Sequence, residues 1–409
     1  MPNQSSPRHP DPNSVPSLAR AFRSVGCVEL AKTALIDLFP STVIVRGFSV
    51  PLTSPSHPVP KHRAARKVLT VLGPIEPAKV GITTTHEHLL IDFSVVFTEP
   101  KAASERLLMD EPVSLKNLGW VRYNWSSNRD NLRILDEEIS TWEAQQYYNA
   151  GGGTIVDVTS VGLSRDPRAL VRIARATGLN IVMGAGNYVN MTHAPELKDL
   201  TVEQVAGQII HDVDQGVGDT GIRSGIIGEI GCSYPWHDSE KKVLEAAVIA
   251  QRETGAPLLI HPGRSERAPL ELLEAVHKWG GNLKRTVMGH VERTVYDRAV
   301  LNELIATGAY LNFDLFGHES SFYPLAPDSH MPADHERIEM VEHMVAEGKR
   351  GNILLAHDIC SKHRLKTYGG HGFDHILTRV VPRMRARGMS EEDVRLILVD
   401  NPTRMLTFD

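Results

Sequence analysis

The sequence predicts an α/β protein: a (β/α)8 TIM barrel with an N-terminal β-hairpin and a largely irregular N-terminal extension. Three observations lead there. From about Lys67 onward, short apolar runs alternate with amphipathic stretches. The alternation runs to eight units. Polar residues that are awkward to bury then recur at the ends of those runs, where such barrels carry chemistry.

The first 66 residues are read as a separate extension, partly disordered, and residues 67–409 as the barrel domain. Residues 1–16 (MPNQSSPRHPDPNSVP) are proline-rich and polar, a composition that does not bury a core. Residues 17–38 have weak amphipathic-helix character with Arg20, Arg23 and Lys32. Glu29, Asp37 and the early prolines weigh against a mitochondrial transit peptide there, leaving cytoplasmic residence as the preferred reading. The stretch PLTSPSHPVP at 51–60 reads as a linker.

KVLTVLG, PIEPAK and VGITTT then read as a hairpin leading into the first strand. Seven further β-prone runs follow at 153–159, 179–186, 224–231, 256–263, 285–291, 308–314 and 351–358. Helical patterns separate them. In DPRALVRIARATG, Asp166 is the expected N-cap, Pro167 the first helical residue and Gly178 the stop. A doubly wound open sheet is the rival architecture, but its phosphate-loop glycines do not follow the first strand.

Composition narrows the function classes. A formal net charge of −5 over 409 residues argues against nucleic acid as a partner. No run of about 18 apolar residues suggests a membrane span. Cys27, Cys232 and Cys360 are odd in number and scattered, so they read as free thiols in a reducing compartment. A small-molecule substrate is the remaining expectation.

The chemistry-bearing residues fall late in their strands: His86 and His88 in strand 1, Glu229 in strand 4, His261 in strand 5, His290 in strand 6 and Asp358 in strand 8. Strand residues two apart share a face, so His86 and His88 both point into the mouth and Glu87 away from it. Four imidazoles and two carboxylates on one rim suit divalent transition metals such as zinc, with Mn, Co or Fe not separated by these donors. His357 should point opposite to Asp358. Cys232 and Cys360 read as packing thiols. The long stretch 95–130 after strand 1 reads as an insertion that folds over the mouth.

With VLTVLGPIEPAKVGITTTHEHLLIDF, IIGEIGCS, LLAHDI and the closing NPTRML, these residues resemble the phosphotriesterase family of the amidohydrolase superfamily. The resemblance covers residues 67–409 and is nearest to the phosphotriesterase-related, resiniferatoxin-binding type branch. It implies a centre of two divalent cations. His86, His88 and Asp358 would hold the buried metal, His261 and His290 the more exposed one, and Glu229 would bridge them. A glutamate at that position, where organophosphate hydrolases carry a carboxylated lysine, argues against paraoxon-like activity.

The activity implied is hydrolysis of an ester, lactone, amide or phosphoester by a metal-bridging hydroxide, with Asp358 moving the proton. Tyr188 and His318 are candidates for substrate contact. Arg264 either meets an anionic substrate or is solvated. A homodimer is the assembly common among relatives. The alternatives are a mononuclear amidohydrolase and a binding protein that uses the same mouth without turnover.

Overall fold

The computed structural model describes residues 66–320, 323–326 and 330–408. The expectations for the N-terminal extension and for Cys27 lie outside the described residues. A hairpin opens the described chain, β1 (Val68–Thr70) pairing antiparallel with β2 (Gly73–Ile75). Then come β3 (Thr83–Glu87), the short pair β4 (Ile91–Asp92) and β5 (Arg133–Ile134), and β6 (Thr154–Asp157). The remaining strands are β7 (Asn180–Ala185), β8 (Ile226–Gly231), β9 (Leu258–His261), β10 (Thr286–Met288), β11 (Tyr310–Phe313) and β12 (Ile353–Leu355).

Eight of these form one parallel sheet in the order β12-β11-β10-β9-β8-β7-β6-β3. The two edges meet. Asp358 N donates to His86 O at 3.1 Å and Thr85 Oγ1 to Leu355 O at 3.1 Å, nearly closing the barrel. Helices between the strands cover the outside. That of Pro167–Thr177 begins as expected, with Asp166 accepting from Arg168 N and Ala169 N, and stops at Gly178 with φ 78°. NPTRML forms the helix Asn401–Leu406.

Strand alternation sorts the side chains. Leu258, Ile260, Leu311 and Phe313 pack outward beneath the helices. Val156, Val182, Ile226, Leu259, Val287, Tyr310 and Leu354 form an inner apolar cluster with Val68, Met405 and Leu406. The hairpin and the C-terminus therefore cover the amino-terminal end of the barrel. Leu69 O packs so tightly on Gly225 that an added Cβ would lie 2.1 Å from it, so this seal requires glycine. A barrel filled at that end leaves its opening at the carboxyl ends of the strands.

The segment between β4 and β5 is the predicted insertion. It contains the 3-10 turns Ala103–Met109 and Trp125–Ser127 and the helix Leu118–Tyr123. Asn131 ties it to the segment after β12, accepting from His363 N at 2.9 Å.

A buried ion network braces the far side of the mouth. Arg337 is fully buried and donates to Asp334 Oδ1 at 3.0 Å and His318 O at 2.8 Å, with Glu292 Oε1 3.3 Å from its Nε. Removing a buried guanidinium strands two carboxylates. We expect Arg337→Ala to destabilise the fold by about 3–5 kcal/mol, read as a lowered urea midpoint; an unchanged midpoint contradicts this bracing role.

Candidate metal centre

Two strand irregularities aim the site. A register shift lies between Thr84 and Glu87 on β3 and another between Ile227 and Ile230 on β8. Bulges re-aim side chains beside active sites. The first lets Thr85, which reaches Asn312 Oδ1, and the adjacent His86 both face the interior. The second serves Glu229 in the same way, since Ile226 and Ile227 already occupy the inner and outer layers. On β10 the device is different. His290 has φ 52°, a left-handed conformation rare for a side chain other than glycine, and Asp358 has φ 48°. Both strained residues lie at the mouth.

The six predicted side chains converge. His86 Nε2 lies 3.4 Å from Glu229 Oε2 and 3.8 Å from Asp358 Oδ1. His88 Nε2 lies 3.2 Å from Asp358 Oδ1 and 3.5 Å from Glu229 Oε1. His261 Nδ1 is 2.9 Å from Glu229 Oε2 and 2.7 Å from His290 Nε2. His86, His88 and Asp358 bring one donor atom each within 4.8 Å of one another, as do His86, Glu229 and His290.

The outward nitrogens are held elsewhere. His86 Nδ1 meets Asp314 Oδ2 at 2.9 Å, His290 Nδ1 meets Asp314 Oδ1 at 2.7 Å, and His88 Nδ1 meets Thr159 Oγ1 at 2.9 Å. Asp314 can only accept when ionised, so both imidazoles it touches carry hydrogen on Nδ1 and turn a bare Nε2 inward. His86 Nε2 is fully buried without a hydrogen-bond partner. An unpartnered lone pair beside two carboxylates is a poor arrangement alone and a good one for a divalent cation.

Without a cation, the same negative charge draws a proton to the site instead. Burial pushes the His86 imidazole down, but Glu229 and Asp314 outweigh it and hold its pKa well above the ordinary value. Burial pushes Glu229 up, yet His86 and His261 hold it well below the carboxylate range. Asp358 is likewise held low against burial, chiefly by its contact with His88. Burial and then His290 push His261 down to about 3. The rim collects positive charge around ionised carboxylates.

The three substrate-contact candidates also line this cavity. Tyr188 Oη sits 3.3 Å from both ring nitrogens of His261. Arg264 donates to Tyr323 Oη at 2.9 and 2.6 Å. His318 accepts from Arg364 at 3.1 Å. Phe93 and Trp125, with stacked rings 6.2 Å apart, add aromatic walls, so the insertion does contribute to the mouth.

His357 points away as expected. Its Nδ1 meets Glu87 Oε1 at 2.6 Å, and its Nε2 accepts from Ile376 N at 3.1 Å. Cys232 and Cys360 are buried and free. Burial pushes both thiols upward, so neither is poised as a nucleophile.

Sequence reasoning missed Asp314, Arg293 and Arg364. Asp314 had a signal: it ends the strand-7 run GAYLNFD at the same relative position as the other site residues. Arg293 lies in the one-turn helix Val291–Thr294 and Arg364 ends the 3-10 turn Lys362–Arg364, elements too short for periodicity to aim a side chain.

Comparison with known proteins agrees with this geometry. The model of the phosphotriesterase family matches residues 66–406. The human N-acetyltaurine hydrolase is 45% identical over 343 residues, covering 84% of this chain and 98% of its own. A resiniferatoxin-binding protein from Rhodobacter sphaeroides is 32% identical with a TM-score of 0.82, covering 85% of this chain and 97% of its own. A phosphotriesterase homology protein from Escherichia coli, solved with phosphate in its active site, is 25% identical with a TM-score of 0.65, covering 80% and 99%. The chain belongs to the phosphotriesterase family and, with it, to the hydrolases of amide and ester bonds.

Proposed function

We propose that the chain holds two divalent cations, zinc foremost, and hydrolyses the amide bond of a small N-acylated amine, N-acetyltaurine being the model substrate. The observation that carries the chemistry is the convergence of four imidazoles and two carboxylates, with His86 Nε2 buried and unpartnered at its centre. The relative named for N-acetyltaurine, matched over 98% of its length, favours the amide. In this reading His86, His88 and Asp358 would hold one cation and His261 and His290 the other, with Glu229 available to both. Glutamate needs no modification to do so.

Cations bound there would polarise the acyl oxygen and bring water toward ionisation near neutral pH. The remaining work belongs to the chain. Asp358 has a side chain 15% exposed, the most open of the six. Its ionised carboxylate takes the proton of the attacking water and passes it to the departing nitrogen. Asp314 orients His86 and His290 so that their donors stay inward. Tyr188 positions the acyl group beside His261. Phe93, Trp125, Leu163 and Leu315 limit water around the scissile bond. Among the described residues no helix is long and apolar enough to cross a membrane. We assign the chain to the cytoplasm, consistent with its buried free thiols.

Elemental analysis of purified protein with an N-acetyltaurine assay tests this directly. We expect about two divalent ions per chain, loss of turnover on chelation and recovery with zinc. One ion per chain favours a mononuclear enzyme; metal without turnover of any amide, ester or lactone favours a binding protein. Glu229→Ala should lower bound metal and reduce kcat by about a hundredfold or more; retention of both contradicts its place between the cations.

Asp314→Asn separates orientation from ligation. The amide preserves shape but offers a nitrogen donor to one imidazole, so a tautomer is lost. Metal affinity, measured by competition with a chelator, should weaken by about 10–100-fold. Unchanged affinity argues against tautomer control.

A further inference from the structure

Among the described residues, most arginines with hydrogen bonds face a carboxylate. Arg337 pairs with Asp334 and Glu292 in the interior, and Arg165 with Asp212 at 2.8 Å in a half-buried setting. Three arginines in the mouth do not. Arg264, an exposed residue at the outer edge of the mouth, donates to the Tyr323 hydroxyl. Arg293, 5% exposed, donates to Pro262 O at 3.2 Å and Thr294 Oγ1 at 3.0 Å, and lies 3.2 Å from His261 Nε2. Arg364, 4% exposed, donates to Asp358 O at 2.7 Å and to His318 Nε2 at 3.1 Å, and its Nη1 lies 3.6 Å from Cys360 Sγ. Among the described residues none of the three has a carboxylate partner within ion-pair distance.

Burying the guanidiniums of Arg293 and Arg364 without a counter-ion is costly. The surroundings add unfilled donors. Arg364 Nε is buried and unpartnered. Arginine can only donate, so His318 Nε2 accepts from it and the imidazole hydrogen resides on Nδ1. That Nδ1 is also buried and unpartnered. Both residues line the cavity. The His318 and Tyr323 rings meet edge-on with centroids 6.5 Å apart, so Arg264, Tyr323, His318 and Arg364 form one continuous wall.

We propose that this wall, reinforced by Arg293, is a receptor for an anionic group on the substrate, a sulfonate or carboxylate on the amine released by hydrolysis. The assignment rests on the amide-hydrolase reading above for its substrate, and on the arginines for its charge. The guanidiniums of Arg293 and Arg364 already offset part of the charge of Glu229, Asp358 and Asp314, so divalent cations held there would leave the mouth positive. An anionic substrate lowers that positive charge, and arginine suits the oxygens of sulfonate and carboxylate alike. Arg264 and Arg364 are thus specificity residues, separate from the bond-breaking groups.

The test uses the metal-loaded full chain. N-acetyltaurine, N-acetyl-β-alanine and N-acetylethanolamine differ in carrying a sulfonate, a carboxylate and a neutral hydroxyl. Wild type should prefer one or both anionic amides over the neutral one by about tenfold or more in kcat/KM. The better anionic substrate identifies the group. Arg264→Gln and Arg364→Gln should each reduce that preference, and weaken ethanesulfonate binding by calorimetry, by about tenfold, with metal content unchanged. Equal rates on neutral and anionic amides overturn the receptor, as do wild-type preference and ethanesulfonate affinity in both variants. Should a variant not fold, the wild-type preference decides. If no amide is hydrolysed, the amide reading fails by itself, and loss or retention of ethanesulfonate binding in the variants still decides the receptor.

Discussion

One carboxylate sets the polarity of the mouth. Asp314 accepts hydrogen bonds from the Nδ1 atoms of both His86 and His290 and from His290 N at 2.9 Å. It is fully buried, and burial alone would favour its neutral form; His290 and His86 reverse that and hold it well below the carboxylate range. Because it stays ionised, two imidazoles from separate strands present bare nitrogens to the same point. Gly289 leaves room for this, since a Cβ there would lie 3.1 Å from Asp314 Oδ2.

The polar layers are nested. Asp314 raises its neighbour Glu292, which burial and then that charge push up to about 7, while Arg337 pulls the other way. Arg337 in turn anchors Asp334 and the carbonyl of His318. A chain of buried ionisable groups thus runs from the candidate metal ligands through the segments after β10 and β11 to the helix Asp334–Ala346. Arg337 matches Asp334 and Glu292, whereas Arg264, Arg293 and Arg364 meet no carboxylate among the described residues.

Much of this was legible in the chain itself. Eight β–α repeats and the strand-end placement of His86, His88, Glu229, His261, His290 and Asp358 needed only periodicity and the rule that barrels carry chemistry at the carboxyl ends. What stayed hidden has a common physical origin. Alternation carried back from Glu87 puts Thr85 on the wrong side, because the irregularity on β3 costs one residue of phase. His290 reaches the interior through a left-handed turn that sequence does not announce. The substrate wall depends on Tyr323, His318 and Arg364, brought together by loops whose paths follow from tertiary packing.

The clamp at the root of the insertion has a further meaning. β4 and β5 pin its two ends, Ile91 opposite Ile134 and Asp92 opposite Arg133, whatever lies between them. Asn131, just before β5, fastens the same root to the segment following Asp358, with Lys362 N donating to its carbonyl at 2.9 Å. The roof is therefore modular: chain can be gained or lost between the clamped ends with the stave register beneath undisturbed. A lineage can remodel what the mouth admits while inheriting the same hearth.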